Sequence, residues 1–173
     1  MLFLTKKFIK HNTKKTLKKS NIKRTSVNYN DAQQIGIIFT ITNRIKHAEV
    51  RNFIKKLKAD GKEVEVLCLL GTGKENYDFI FDYFTKKEFS IFGKITSQSL
   101  NQFVQKKFDY VFHLDTSVGL FMEYALAKSQ AKCRVGIYQE GKDSFYELMF
   151  KTKKDDGFQI FLEQLYSFIK FLS

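Results

Sequence analysis

Two apolar runs of strand length, separated by an amphipathic helical segment, most constrain how this chain can fold. The runs are IGIIFTI at residues 35–41 and EVEVLCLL at 63–70. Between them, apolar residues recur at helical spacing over 47–60, and Gly61 follows as a stop signal. Continuous apolar strands are typical of parallel sheets that are buried on both faces. A strand, a helix and a strand within about 35 residues therefore predict a βαβ unit.

The alternation of strands and helices continues to the end of the chain. Further strands are predicted at 79–84, 109–116, 132–138 and 146–150, and further helices at 97–107, 118–130 and from residue 158 onward. This alternation indicates a mostly parallel sheet with helices on both faces. Right-handed crossovers favour the strand order 3-2-1-4-5. We therefore predict a single Rossmann-like three-layer α/β domain of five to six strands over residues 34–173.

The first 33 residues differ in character from the predicted domain. Residues 1–20 show weak helical amphipathicity and residues 21–33 are polar, which indicates a basic helical arm followed by a linker. The net charge is +12, and nine cations precede the first acid, Asp31, leaving 21 of the 30 basic residues to face 18 acidic ones. The nine are Lys6, Lys7, Lys10, Lys14, Lys15, Lys18, Lys19, Lys23 and Arg24. The excess charge therefore belongs to the arm.

A cationic segment without acids attracts polyanions. Lysines that neutralise phosphates release counterions, and the interleaved Asn, Thr and Ser side chains can donate to phosphate oxygens. We therefore expect the nine cations to contact RNA, with the ribosome as one setting. The segment KKEFSIFGK at 86–94 is predicted to be a surface excursion that either adds base stacking or buries its phenylalanines in the core.

Two other uses of the arm remain open. Leu2, Phe3, Leu4, Phe8 and Ile9 could insert into an anionic membrane surface while the lysines meet its headgroups. Alternatively, the same apolar residues pack the arm onto the domain and leave the lysines solvated.

A small-molecule site is expected where the strand order reverses. Doubly wound sheets bind ligands at the carboxyl ends of their strands at this switch point. The loops after the first and fourth strands would face each other there, together with a histidine at the end of the fourth strand. The candidate ligand-binding residues are Thr42, Asn43, Arg44, His113, Asp115, Thr116 and Ser117. The competing interpretation is that residues 115–117 only cap the next helix and that His113 is a satisfied core residue.

The sequence contains none of the common catalytic signatures. GxSxG is missing, and TNRIKH follows the first strand where a dinucleotide fingerprint would need glycines. GTGK at 71–74 lacks the spacing of a P-loop and predicts a turn. Cys68 and Cys133 lie in apolar runs without metal-ligand spacing and predict buried thiols. We therefore predict a non-enzymatic, cytoplasmic binding protein with no metal and no cofactor.

The chain resembles a family of small uncharacterised Bacteroidota proteins, a domain of unknown function. The matching features are the Lys-rich N-terminal helix, IGIIF, KKEFSIFGK, FDYVFHLDTS, AKCRVGI and the closing amphipathic helix. FDYVFHLDTS with AKCRVGIY also resembles the N-terminal Rossmann-like half of heptosyltransferase-type glycosyltransferases. The sequence holds no counterpart of their second lobe. That resemblance implies a Rossmann-like half of a two-lobed enzyme and argues against autonomous glycosyl transfer. The loops at 42–44 and 115–117 keep an alternative to RNA binding open, namely a protein that binds a nucleotide or sugar phosphate, or a degenerate glycosyltransferase-like enzyme.

Overall fold

The centre of the fold is a six-stranded parallel sheet. The computed structural model describes residues 2–71, 80–153 and 156–172. The strands are β1 (Gln34–Ile41), β2 (Glu63–Leu70), β3 (Asp82–Thr85), β4 (Tyr110–His113), β5 (Cys133–Ile137) and β6 (Leu148–Phe150). They lie in the order β3-β2-β1-β4-β5-β6, with every neighbouring pair parallel. The predicted order 3-2-1-4-5 is confirmed, and β6 extends the sheet beyond β5.

Helices cover both faces of this sheet. The described residues form α1 (Leu2–Lys19), α2 (Arg44–Ala59), α3 (Gln98–Gln105), α4 (Leu120–Lys128) and α5 (Phe158–Phe171), with a short 3-10 helix at Asp143–Phe145. The buried residues of α2 and α5 share one hydrophobic cluster, and those of α1, α3 and α4 share the other. The predicted single three-layer α/β domain is therefore confirmed.

Strand β1 shows why its sequence is apolar without interruption. Ile35, Ile37 and Phe39 belong to the cluster on the α2/α5 side, whereas Ile38 belongs to the other. Both faces of the strand are thus buried, as expected for the centre of a doubly covered sheet. Gly36 points to the crowded side, where an added Cβ would lie 2.9 Å from the Phe108 ring. A residue without a Cβ atom is therefore needed at position 36 for the Phe108 ring to pack against this strand.

The position of the third strand differs from the sequence prediction. It lies at Asp82–Thr85 instead of 79–84 and pairs only with β2, over four residues. Residue 79 and most of the predicted turn at 71–74 lie outside the described residues.

The fourth strand is shorter than the predicted span of 109–116, because the chain leaves β1 after His113. The Thr40 N–H of β1 therefore has no partner on β4. It donates a hydrogen bond to the Asp115 carboxylate instead.

The N-terminal helix is part of the second hydrophobic cluster. Ile9 is fully buried and Leu17 is partly buried against the same cluster. The Asn12 side-chain amide donates to the Phe92 carbonyl oxygen at 2.9 Å. Gly93 adopts φ +67°, and a Cβ there would lie 2.6 Å from the Ile9 backbone nitrogen. Only glycine lets the loop approach α1 this closely.

The segment after α1 is also packed against the domain. Tyr29 and Ala32 are buried, although the polar composition of residues 21–33 suggested a linker. The Arg24 guanidinium donates to the carbonyl oxygens of Ser129 at 2.7 Å and Ala131 at 2.5 Å. These bonds tie the segment to the end of α4.

Candidate functional site

A cavity of about 560 Å³ opens at the carboxyl ends of β1, β2 and β4. We call it the switch-point cavity, because β1 and β4 are the strands between which the chain order reverses. Four of the seven predicted ligand-binding residues line it: Thr42, Asp115, Thr116 and Ser117. A cavity therefore lies at the location predicted from the sequence, and its use as a ligand site stays a prediction.

The other three predicted residues do not line this cavity. Asn43 caps α2, where its side chain accepts a hydrogen bond from the Lys46 backbone N–H at 2.8 Å. Arg44 is the exposed first residue of the same helix. His113 is only 1% exposed and lies beneath Asp115.

Asp115 is the most strongly engaged polar residue of the site. Its carboxylate accepts hydrogen bonds from the Thr40 backbone N–H at 2.9 Å and hydroxyl at 2.7 Å. Lys46 Nζ lies 2.5 Å from the same carboxylate. Burial alone would raise the pKa of Asp115, but His113 and Lys46 outweigh it and hold the pKa well below the ordinary value of 3.8. Asp115 is therefore ionised at neutral pH and has no spare capacity for a free cation.

A buried polar chain supports Asp115 from below. His113 Nε2 approaches the Asp115 carboxylate at 3.3 Å without a well-aligned hydrogen bond, and His113 Nδ1 lies 2.8 Å from the Tyr146 hydroxyl. Burial raises the pKa of Tyr146 far above its ordinary range. Tyr146 is itself 5% exposed, so this chain does not reach the cavity surface. The geometry assigns His113 and Tyr146 a supporting role beneath the cavity.

The interpretation that residues 115–117 cap α4 is wrong. The N-cap of α4 is Gly119, and among the described residues no side chain caps the first N–H groups of this helix. The Asp115 carboxylate instead accepts a hydrogen bond from the Thr40 N–H of β1, because β4 ends before it could pair with that group. The first turn of α4 lines the switch-point cavity with its free N–H end.

Three lysines at the switch-point cavity come from different parts of the chain. Lys6 belongs to α1, Lys46 to α2, and Lys86 to the segment after β3. Lys46 is paired with Asp115, whereas Lys6 and Lys86 have no ion pair among the residues that the structure describes. Sequence reasoning assigned Lys6 only to the arm and overlooked Lys46 and Lys86, because no spacing pattern links three such distant positions.

A larger cavity of about 890 Å³ lies beside β2 and β3, between α2 and α3. Its lining includes Lys106 and Glu65, which form an ion pair with each other and are both partly exposed. The rest of its lining holds three further cations and one further acid, so this cavity also has an excess of positive charge. These residues are Arg51, Lys55, Lys58 and Asp82.

The outer surface of the arm is strongly cationic. Eight of its nine predicted RNA-binding cations are exposed: Lys6, Lys7, Lys10, Lys14, Lys15, Lys18, Lys19 and Lys23. Arg24 is the exception, because its guanidinium is held by backbone carbonyl oxygens. Burial lowers the pKa of Arg24 to about 10, so it remains charged while serving the fold.

A groove of about 530 Å³ adjoins this surface, between α1 and α4. We call it the lysine groove, since Lys15, Lys19, Lys94 and Lys128 line it together with amide and hydroxyl side chains. None of the described residues that line it is acidic. The cationic surface of α1 therefore continues into a depression suited to a chain of negative charges.

The excursion at 86–94 divides its two phenylalanines between interior and surface. Phe89 is 7% exposed and packs on Phe84 and Phe121. Phe92 is 58% exposed and meets Phe8 of α1 edge-on, with ring centroids 5.8 Å apart. Core packing is therefore confirmed for Phe89, whereas base stacking by the exposed Phe92 stays a prediction.

Both cysteines are free and buried, as predicted. Burial raises the pKa of each thiol to about 12. Within residues 2–71, 80–153 and 156–172, no group of His, Cys, Asp and Glu side chains is placed to hold a metal ion. None of the helices in these ranges combines the length and apolar character needed to cross a bilayer.

The fold and its switch-point cavity define a doubly wound α/β protein whose basic N-terminal helix is docked on the domain. The chain belongs to the family described as a family of unknown function, DUF6913, whose model matches residues 5–172. The predicted membership of an uncharacterised family is thereby confirmed, and the matched region takes in most of α1. Neither the curated proteins nor the solved structures include a match to the chain. The resemblance to heptosyltransferase-type proteins stays a prediction.

Proposed function

We propose that this protein is a non-enzymatic, cytoplasmic RNA-binding protein that contacts RNA through α1 and the lysine groove, with the ribosome as a setting. The arrangement of α1 carries this proposal. Its buried side, with Ile9 at the centre, is occupied by the domain, while eight lysines of the arm remain exposed. Lysines in this number and without acidic neighbours on the helix provide contacts to a phosphate backbone.

Docking on α4 favours binding of a polyanion. A docked helix holds its lysines at fixed positions, so less conformational freedom is lost when phosphates bind. The lysine groove extends the contact surface with four cations and several side-chain amide and hydroxyl donors. Such donors contact phosphate and sugar oxygens without reading base sequence. We therefore expect binding with low sequence selectivity.

Exposed aromatic rings favour single-stranded over double-stranded RNA. Phe3 is 67% exposed and Phe92 is 58% exposed, both beside the lysines of α1. Unpaired bases stack on such rings, and each stacked base contributes about 1–3 kcal/mol. A duplex keeps its bases stacked on one another and would gain only the phosphate contacts.

The same surface fits a membrane less well. A helix that binds in the bilayer interface inserts its apolar side among the lipids. In α1 the side that contains Ile9 is already packed against the domain, since Ile9 is fully buried in the second hydrophobic cluster. The exposed apolar residues of α1 are confined to its first two turns, whereas its lysines continue to Lys19.

Fluorescence anisotropy of the full-length protein with a single-stranded RNA oligonucleotide across a salt series tests the proposal. The double variant Lys15→Gln/Lys19→Gln removes two cations of the lysine groove. The control Lys55→Gln/Lys58→Gln removes two exposed lysines of α2, on the opposite side of the sheet. We expect the groove variant alone to lower the slope of log K against log salt by about 1.4, or about 0.7 for each lost phosphate contact. Ribosome co-sedimentation in the same salt series tests the setting.

Two outcomes would contradict RNA binding through this surface. One is an equal loss of affinity in the groove variant and the control, which would indicate only attraction by net charge. The other is binding to vesicles containing phosphatidylglycerol without measurable RNA binding. Deletion of the arm is unsuitable for this test, because removal of Ile9 would open the hydrophobic core.

A further inference from the structure

The switch-point cavity has a surplus of positive charge that its internal ion pair does not neutralise. Lys46 and Asp115 are held together at 2.5 Å. The side chains of both are about nine-tenths buried, so this pair forms the floor of the cavity and has no net charge. Lys6 and Lys86 are exposed at its rim. The cavity therefore presents two cations to a ligand while its carboxylate is already saturated.

The remaining lining combines hydroxyl donors with an apolar wall. Thr42, Thr116 and Ser117 supply hydroxyl groups, and Leu69 and Phe121 supply apolar surface. The volume of about 560 Å³ lies within the range of about 300–1,000 Å³ that is typical of small-molecule sites. An ion alone would leave most of this space unfilled. A ligand that has both a charged group and an organic body fits the lining better.

The geometry points to a small phosphomonoester as the ligand of the switch-point cavity, with its phosphate between Lys6 and Lys86 and its organic part against Leu69 and Phe121. Lysine is a common phosphate ligand, acting as a point charge on a flexible stem. Hydroxyl groups and the free N–H end of α4 provide further donors for the phosphate oxygens. This site is separate from the lysine groove and shares only Lys6 with the lysines proposed to contact RNA.

Neighbouring lysines in the sequence provide matched controls. Lys6 and Lys86 line the cavity, whereas Lys7 and Lys87 are also exposed but do not line it. Isothermal titration calorimetry of the full-length protein uses AMP, glucose 6-phosphate and inorganic phosphate as probes. Adenosine and glucose serve as uncharged counterparts. The variants are Lys6→Gln, Lys86→Gln, Lys7→Gln and Lys87→Gln, and their melting curves without ligand check that each is folded.

We expect at least one phosphomonoester to bind, and its uncharged counterpart not to bind measurably. Loss of Lys6 or Lys86 is expected to weaken binding about tenfold, the effect of losing one bond to a charged group. Loss of Lys7 or Lys87 is expected to change the affinity by less than about twofold, because screening by salt weakens charges outside the site. The proposal is overturned if neither phosphomonoester binds, or if all four variants lose affinity equally.

Discussion

Replacing Ile9 by alanine tests whether α1 is held on the domain by its buried side. Ile9 is 0% exposed and belongs to the cluster that α1 shares with α3 and α4. Truncating a fully buried isoleucine to alanine costs about 2–5 kcal/mol, because transfer energy is lost and a cavity remains. Each 1.4 kcal/mol is about a factor of ten. The variant Ile9→Ala should therefore detach α1 at least about 30 times more often.

Trypsin provides a direct assay, because α1 contains seven lysines. Cleavage within a docked helix requires local unfolding, so its rate follows the population of the open form. We expect cleavage within α1 to be about 30-fold faster or more in Ile9→Ala. The matched control Leu4→Ala removes the same number of carbon atoms from a residue that is 58% exposed. Its effect should stay within about 0.5 kcal/mol.

Two results would refute this reasoning about α1. The first is equal cleavage rates in Ile9→Ala and Leu4→Ala, which would show that burial of Ile9 contributes nothing to docking. The second is cleavage of α1 in the unmodified protein as fast as in an isolated peptide of the same sequence.

The remaining predictions concern the buried titratable groups. Asp115→Asn leaves Lys46 without its counter-ion and should lower the free energy of unfolding by about 3 kcal/mol in urea titrations at neutral pH. Because folding lowers the pKa of Asp115 below 3.8, this contribution is complete above that pH and is lost as pH falls below it. The stability difference between Asp115→Asn and the unmodified protein should therefore shrink in acid, and a constant difference would contradict the assignment. Cys68 and Cys133, with pKa values raised to about 12, should react with a thiol reagent at mildly alkaline pH only after denaturant is added.

Much of the sheet could be predicted because the signal is local. The central strand is buried on both faces, so its sequence is almost continuously apolar, as in β1 at Gln34–Ile41. Strand β3 was harder to place, since it pairs on one side only and over four residues. Two of those four, Asp82 and Tyr83, are exposed, which removes the apolar signature.

Docking of α1 on the domain was one of three uses of the arm that the sequence left open, and the weak amphipathicity of α1 did not single it out. Its buried side contains Thr5 and Thr13 besides Ile9, and threonines give no apolar stripe. Thr13 is accommodated because its hydroxyl donates to the Ile9 carbonyl oxygen at 2.8 Å. The close contact also requires a glycine at position 93, and a single loop glycine does not indicate in the sequence that a helix will pack against it.

The location of the candidate site could be predicted, but not all of its residues. The switch-point rule needs only the strand order, so Thr42 and Asp115 were found from the sequence. Lys6 and Lys86 reach the cavity because α1 and the excursion fold over its rim, and such non-local packing leaves no mark in either segment.

The long separation between α1 and its binding surface has a consequence for synthesis of the protein. Arg24 bonds to carbonyl groups that lie 105 and 107 residues further along the chain, at the end of α4. The basic helix leaves the ribosome long before these groups exist, so its docking is a late, non-local step of folding. Until α4 has been translated, the hydrophobic cluster that buries Ile9 is incomplete, and α1 has no finished surface on which to dock.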